Sequence, residues 1–357
     1  MTSIVVCVGT RPDFIKMAPV ILKLEEKGVD YRILHTGQHY SPDLADVYKE
    51  LPLRDPDVHF KGLENCKTHA EKTAFIMTEA ERYFMKERPE IVLVQGDTDH
   101  SLACGIASRK LGIHLGHVES GLRCRDWRVP EEHNRRMLDH ISEILFAPTL
   151  QSVVNLSSEN VPGDIILTGN TVMDSLRMVL DRVHAQPLPF EYPYMLLTAH
   201  REENVDHLES LKRIIKVTER IHRGFNMPIL FPAHPRTVDR LKRVKLGFRN
   251  YVKVVPPMPY IKFLSALLHS SLVLTDSGGV QEEACALQVP CVVLRESTER
   301  VESVTVGASL VTGLNSKLVY KAAREMISRP REWANPYDPY NDCNAADRIV
   351  VNLMSRL

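Results

Sequence analysis

No uninterrupted apolar run in this chain approaches the roughly 18 residues needed to cross a bilayer. The first residues, MTSIVVCVGTRPDF, read as a buried strand leading into a loop and not as a cationic signal peptide. A soluble, cytoplasmic protein is expected. Charge of one sign is also lacking: 45 Lys and Arg cancel 45 Asp and Glu. No global field therefore exists to hold a nucleic acid or an anionic membrane. The seven Cys are odd in number and nowhere arranged as C-x-x-C, which suits reduced thiols better than a disulfide frame or a zinc site. No metal is expected. The dinucleotide fingerprint G-x-G-x-x-G is missing, which argues against NAD, so no cofactor is expected. Repeats at a fixed period and low-complexity tracts are absent as well.

What is present is length and alternation. At 357 residues, 44% of them apolar, the chain exceeds the size of about 250 residues at which single cores stop growing, so two domains are expected. Short β-branched runs at Ile4–Val8, Tyr31–His35, Ile91–Val94, His114–Val118, Ile144–Ala147 and Asp164–Thr168 read as strands. Amphipathic stretches such as Asp13–Lys27, Asp99–Leu111, Glu131–Ser142 and Thr171–His184 separate them. Three prolines within Ala185–Pro193 then interrupt any periodic element. The alternation restarts with strands at Tyr194–Thr198, Pro228–Phe231, Tyr251–Val255, Leu272–Thr275 and Cys291–Leu294. This order predicts two Rossmann-like, doubly wound α/β domains with parallel sheets facing a cleft, ligands lying at the carboxyl ends of the strands. Residues 1–172 form the first domain and 173–340 the second. The amphipathic run at 341–357 is expected to return to the first.

Several strand ends are unusually polar. Gly9-Thr10-Arg11-Pro12-Asp13 follows the first strand, with Lys16 one turn further on; Pro12 suits a helix start, beside whose amides an anion is favoured. Read blandly, this is a structural turn with a surface Arg. Gln95-Gly96-Asp97-Thr98-Asp99-His100 and His117-Val118-Glu119 end two more strands, and Pro130-Glu131-Glu132 opens a helix. Any of Asp97, Thr98 or Asp99 can serve as a helix cap, and Glu132 can simply favour the helix dipole; no cap explains Glu119. Asp97, Glu119 and Glu131 are thus sent toward one region, where clustered acids are expected to raise one another's pKa and serve proton transfer from a weak carbon acid. In the second half, His200 and His234 end consecutive strands and suit a departing phosphate. Ser277-Gly278-Gly279, between a strand and a helix, offers free amides and a hydroxyl for a diphosphate. Glu283 lies about one turn on, placed for a ribose hydroxyl, and Arg300 supplies a cation.

The ordered set GTRPDFIKMAPV, TGQHY, QGDT, HVESGLR, PEEHNR, GNTVMD, TAHRE, DSGGVQEE and TER spans essentially the whole chain. It resembles the non-hydrolysing UDP-N-acetylglucosamine 2-epimerases, which have the two-domain glycosyltransferase-B architecture. The resemblance implies that Asp97, Glu119, Glu131 and His200 are catalytic. It implies that Arg11, Lys16, His234, Phe263, Ser277, Gly278, Gly279, Glu283 and Arg300 contact UDP or its phosphates. Gln38 and His39 match a region that forms a regulatory nucleotide-sugar site in bacterial members. A UDP-sugar substrate and a homodimer are implied too. The chain departs from the family pattern at TERVES, where T-E-R-P-E is usual, and at HREEN, where H-R-R-E-N is usual.

Three other functions share this architecture. A retaining glycosyltransferase needs an acceptor groove and few acids; a hydrolysing epimerase releases free N-acetylmannosamine and UDP; a sensor binds without turnover. Fold alone does not separate them, and the acidic trio favours epimerisation.

Overall fold

The computed structural model describes residues 2–37 and 47–357; Gln38 and His39, the expected regulatory pair, lie outside them. Contacts divide the chain into two units, Met1–Val179 with Tyr337–Leu357, and Leu180–Pro336.

The first unit is built on a seven-stranded parallel sheet of β1 (Ile4–Val8), β2 (Tyr31–His35), β3 (Val58–His59), β4 (Ile91–Gln95), β5 (His114–Val118), β6 (Ile144–Ala147) and β7 (Asp164–Leu167). Every residue of the β1 sequence IVVCV is buried, as expected of a parallel strand covered on both faces, where apolar runs replace alternation. The strand order is β3-β2-β1-β4-β5-β6-β7. It reverses between β1 and β4, so the ends of these strands flank the switch point at which open α/β sheets bind ligands. One face is filled by Val5, Cys7, Val92 and Val94 against Phe84, Ala103 and Leu138 from the helices.

The terminal helix Ala345–Met354 belongs to this unit and lies along Arg11–Glu26, where Lys27 reaches Asp347 at 3.6 Å. Its start is held by Asp174, whose carboxylate accepts from the amides of Ala345 (3.2 Å) and Ala346 (3.0 Å). Burial pushes this carboxyl up to about 6 despite those amides. The folded state therefore holds an extra proton between the ordinary value of 3.8 and about 6. This group's contribution is full below that window and is lost as pH rises through it. Asp174→Asn should flatten the dependence of Tm on pH across the window. Asp174→Ala, with no acceptor for either amide, should cost about 1 to 2 kcal/mol at every pH. Thermal melts at stepped pH check both.

The second unit carries β8 (Met195–Thr198), β9 (Ile229–Pro232), β10 (Val252–Val255), β11 (Leu272–Thr275), β12 (Cys291–Val293) and β13 (Ser309–Val311). Their order, β10-β9-β8-β11-β12-β13, reverses between β8 and β11. Leu197, Phe231 and Leu274 face Leu211, Ile214 and Val217 of helix Leu208–Phe225 on one side. Leu196, Leu230 and Val273 meet Ala266 and Leu267 on the other. At about 1.5 to 3 kcal/mol for each fully buried large aliphatic side chain, these two faces supply the main stabilisation of the unit.

Candidate active site

In the first unit, the helix Arg11–Glu26 starts where β1 ends. Asp13 folds back over that turn: its Oδ2 accepts from the amides of Gly9 (3.0 Å) and Thr10 (2.6 Å) and from His100 Nε2 (2.7 Å). Burial alone would raise this carboxyl, but the His100 ring and the Thr10 amide outweigh it and hold it below the ordinary value. Arg11 is thereby placed at the helix start, and Lys16 lies on the buried side of the next turn.

Lys16 Nζ forms an ion pair with Glu119 Oε2, which also accepts from Gln95 Nε2 at 2.8 Å. The pair joins residues 103 apart in sequence. Glu119 stands immediately after β5 with φ of 69°, a left-handed conformation that costs a non-glycine residue about 1 to 2 kcal/mol. The backbone thus turns sharply at the residue whose carboxylate meets Lys16. Asp97, just past the end of neighbouring β4, is gripped by Arg135, which contacts its Oδ2 through both Nε and a terminal nitrogen. Glu131 lies in the first turn of Pro130–Ile141, the helix that carries Arg135.

Asp97 and Glu119 therefore stand at the ends of adjacent strands of one sheet, and each has a cation, Arg135 and Lys16. Two close carboxylates without counter-charges would carry a large desolvation penalty, which paired cations offset. Glu132, set aside in the sequence as a dipole partner, is fully buried. It accepts from the amides of Cys124 (3.0 Å) and Arg125 (3.2 Å) and pairs with Arg135 and Arg136. Its role is to fasten the loop after β5 to the helix that holds Asp97.

In the second unit the site is organised by Asp276, fully buried at the end of β11. It accepts from the amides of His200 (3.1 Å) and Arg201 (3.1 Å), from Asn204 Nδ2 (3.0 Å) and from His200 Nδ1 (3.0 Å). Burial would raise its carboxyl; the His200 ring, Asn204 and the Arg201 amide pull it below the ordinary value instead. His200, more than half exposed, is left with Nε2 facing away from its anchor. In the sequence Asp276 opens the motif DSGGVQEE, which by itself assigns it no role. The available signal was an acid at a strand end directly before a phosphate-like turn, where a second negative charge needs local donors.

Ser277 caps the helix Gly278–Ala286 by position, yet its hydroxyl makes no capping bond. A Cβ on Gly278 would fall 2.5 Å from Glu299 Oε1, whereas one on Gly279 meets nothing within 4 Å. Glu283 is buried on the second turn of that helix. Arg300 is also buried and directs Nε to Glu282 Oε1 at 2.5 Å, with Glu299 Oε1 3.7 Å from its Nη1. His234 is exposed immediately before helix Pro235–Arg243, and Phe263 is half-buried on helix Tyr260–Leu268 against the cluster containing Tyr194 and Leu196. Among the described residues, no group of three or more His, Cys, Asp or Glu is arranged to hold a metal ion, and no helix is long and apolar enough to cross a membrane.

Two parallel-sheet α/β units with polar residues at both switch points define a glycosyltransferase-B-like architecture. A glycosyltransferase solved with dTDP shares this fold at a TM-score of 0.57 and 13% identity, covering 99% of each chain. The UDP-N-acetylglucosamine 2-epimerase of Methanocaldococcus jannaschii is much nearer, 40% identical over 97% of each chain. Its crystal structure in complex with UDP-GlcNAc and UDP superposes with a TM-score of 0.93, covering 99% of this chain and 100% of that one. A Pseudomonas aeruginosa UDP-2,3-diacetamido-2,3-dideoxy-D-glucuronate 2-epimerase is 36% identical over 92% of this chain and 93% of its own. The family model described as UDP-N-acetylglucosamine 2-epimerase matches residues 22–354. The chain belongs to that family.

Proposed function

We propose that the protein interconverts UDP-N-acetylglucosamine and UDP-N-acetylmannosamine by eliminating UDP and adding it back with C2 inverted. The observation that carries this reading is that Asp97 and Glu119 follow adjacent strands β4 and β5, the first of which flanks the switch point, in a member of this family. H2 of a hexosamine is not acidic without a neighbouring carbonyl. The chain lacks the glycine fingerprint for a nicotinamide that could make one, and the proposed route runs through C1. Breaking the C1–O bond develops positive charge on the ring, and a carboxylate removes H2 with or after it. In the gluco sugar H2 and the leaving group are both axial and anti, which favours departure. The resulting glucal takes a proton on its other face at C2, and the diphosphate oxygen re-forms the bond to C1.

The acids of the first unit handle the C2 proton in this scheme, with Lys16 balancing Glu119 and Arg135 balancing Asp97. His200, with its Nδ1 held by Asp276, serves the departing diphosphate. Ser277, Gly278 and Gly279 offer amides and a hydroxyl at a helix start, where anions are favoured; Arg11, His234 and Arg300 complete the phosphate contacts, while Phe263 and Glu283 hold the nucleoside. Seven free cysteines suit a reducing, cytosolic setting, and a homodimer, checked by sedimentation, belongs to the same reading.

Incubation with UDP-GlcNAc in deuterium oxide, followed by proton NMR, tests the proposal. UDP-ManNAc deuterated at C2 is expected. Free N-acetylmannosamine with UDP would point to the hydrolysing reaction, and product without deuterium would exclude the elimination route. Binding by calorimetry with no product would leave a sensor. The glucuronate-specific relative motivates the same assay on its diacetamido uronate.

The two glycines separate binding from folding. Gly278→Ala forces a methyl onto the buried Glu299, which holds Arg295 at 2.9 Å, so both Tm and UDP affinity should fall. Gly279→Ala meets nothing within the protein; Tm should hold while UDP affinity drops about tenfold, because the methyl intrudes where a phosphate approaches the amide. Melting curves with UDP calorimetry check the pair.

A further inference from the structure

The geometry points to His117 as a positioning residue for Asp97, acting by locking the carbonyl of Gly96. This inference rests on the proposed epimerisation. His117 is the penultimate residue of β5 and is completely buried. Its Nε2 lies 2.8 Å from Gly96 O and its Nδ1 lies 2.8 Å from Asp139 Oδ1. A backbone carbonyl can only accept. Asp139, whose carboxyl burial would raise but which the His117 ring and Arg123 hold below the ordinary value, is a carboxylate and also only accepts. Nε2, which faces a carbonyl, therefore donates to it.

The Gly96 carbonyl is the hinge of the turn that carries Asp97. Gly96 has φ of 68°, a conformation glycine reaches without steric cost and also leaves easily. His117 removes that freedom on one side. Asn134 Nδ2 holds the carbonyl of Asp97 at 3.0 Å on the other, and Arg135 holds the carboxylate.

A chain of ion pairs runs back from Asp97 to the same imidazole. Arg135 bridges Asp97 and Glu132, and Arg136 bridges Glu132 (3.1 Å) and Glu159 (2.9 Å). Arg123 bridges Glu159 (2.7 Å) and Asp139 (2.7 Å), and Asp139 meets His117. Four acids alternate with three arginines, and His117 ends the series. The ring closes on the backbone of the Gly96–Asp97 turn from which it started. Supporting contacts of this kind set how closely a reacting group keeps its productive geometry, and small displacements lower kcat more than binding.

Two measurements test the role. In protein labelled with 15N-histidine, one ring, identified by its loss in His117→Gln, should show a protonated Nε2 with a slowly exchanging hydrogen; a bare Nε2 on that ring overturns the inference. Kinetically, His117→Gln should lower kcat at least tenfold, with KM and the UDP dissociation constant changed less than about twofold. In an Asp97→Asn background it should cost no further rate, because it acts only through Asp97. Losses that multiply in the double variant would show a general structural role and overturn the inference. A wild type that fails to interconvert UDP-GlcNAc would sink the proposed function and this inference together. A working wild type with an unimpaired His117→Gln variant sinks this inference alone.

Discussion

Glu119→Gln should lower kcat roughly a thousandfold, the scale of a lost general acid or base, and should also destabilise the first unit. The two effects have separate causes that one further substitution can pull apart. Glu119 is the counter-charge of Lys16, and both are at least nine-tenths buried. An amide at 119 takes the Glu119 counter-charge from the buried ammonium, a loss worth about 3 to 5 kcal/mol when one member of such a pair is removed. Adding Lys16→Met removes the ammonium and should restore most of the stability, since replacing both members of a buried pair is often neutral. On the proposed mechanism activity should not return, because one of the acids proposed to handle the C2 proton is still missing. Denaturant melts beside NMR turnover assays decide it: a double variant that regains both stability and rate would mean that Glu119 only balances Lys16.

Asp276→Asn should be the most damaging single change in the second unit. The carboxylate accepts from two amides, a side-chain amide and an imidazole. An asparagine turns half of that surface into a donor facing donors. Each buried donor left without an acceptor costs about 1 to 3 kcal/mol, and His200 loses the partner that fixes its ring. Turnover should fall on the order of a hundredfold. The linkage has a definite sign. Because the folded carboxyl is held below 3.8, its stabilisation is present above that pH and is lost as pH falls below it. Unfolding curves of wild type and variant should therefore differ most near neutrality and converge in acid. A gap that persists unchanged into acid would remove the charge from the explanation.

How far the sequence could be read follows from what each feature depends on. Strands such as Ile4–Val8 and Leu272–Thr275 match to the residue, because a parallel strand buried on both faces is written as a continuous apolar run between turn residues. The two-residue β3 and three-residue β13 are too short for any period to mark them. Helix His69–Glu87 buries only Ile76, Ala80 and Phe84 in 19 residues, so its apolar stripe is lost among charges.

Strand-end chemistry was legible in the same local way. Asp97, Glu119, His200 and Ser277 stand where an apolar run breaks off, and parallel topology brings such ends to one edge of the sheet. Pairing was not legible. Nothing near Lys16 names Glu119, and nothing near His200 names Asp276, because these partnerships are made by tertiary contact across 103 and 76 positions. Glu132 illustrates the same limit: its setting at a helix start suits a dipole role, and only burial exposes it as a clamp.

The division of the chain also orders its synthesis. The polypeptide leaves the first unit after Val179 and re-enters it at Tyr337, so the helix Ala345–Met354 that Asp174 receives emerges from the ribosome after all of the intervening unit. Domains generally fold as they are made. Here the unit from Leu180 to Pro336 can finish while the first still lacks its last helix, so nascent chains stalled beyond Pro336 should resist protease first in the segment from Leu180 to Pro336.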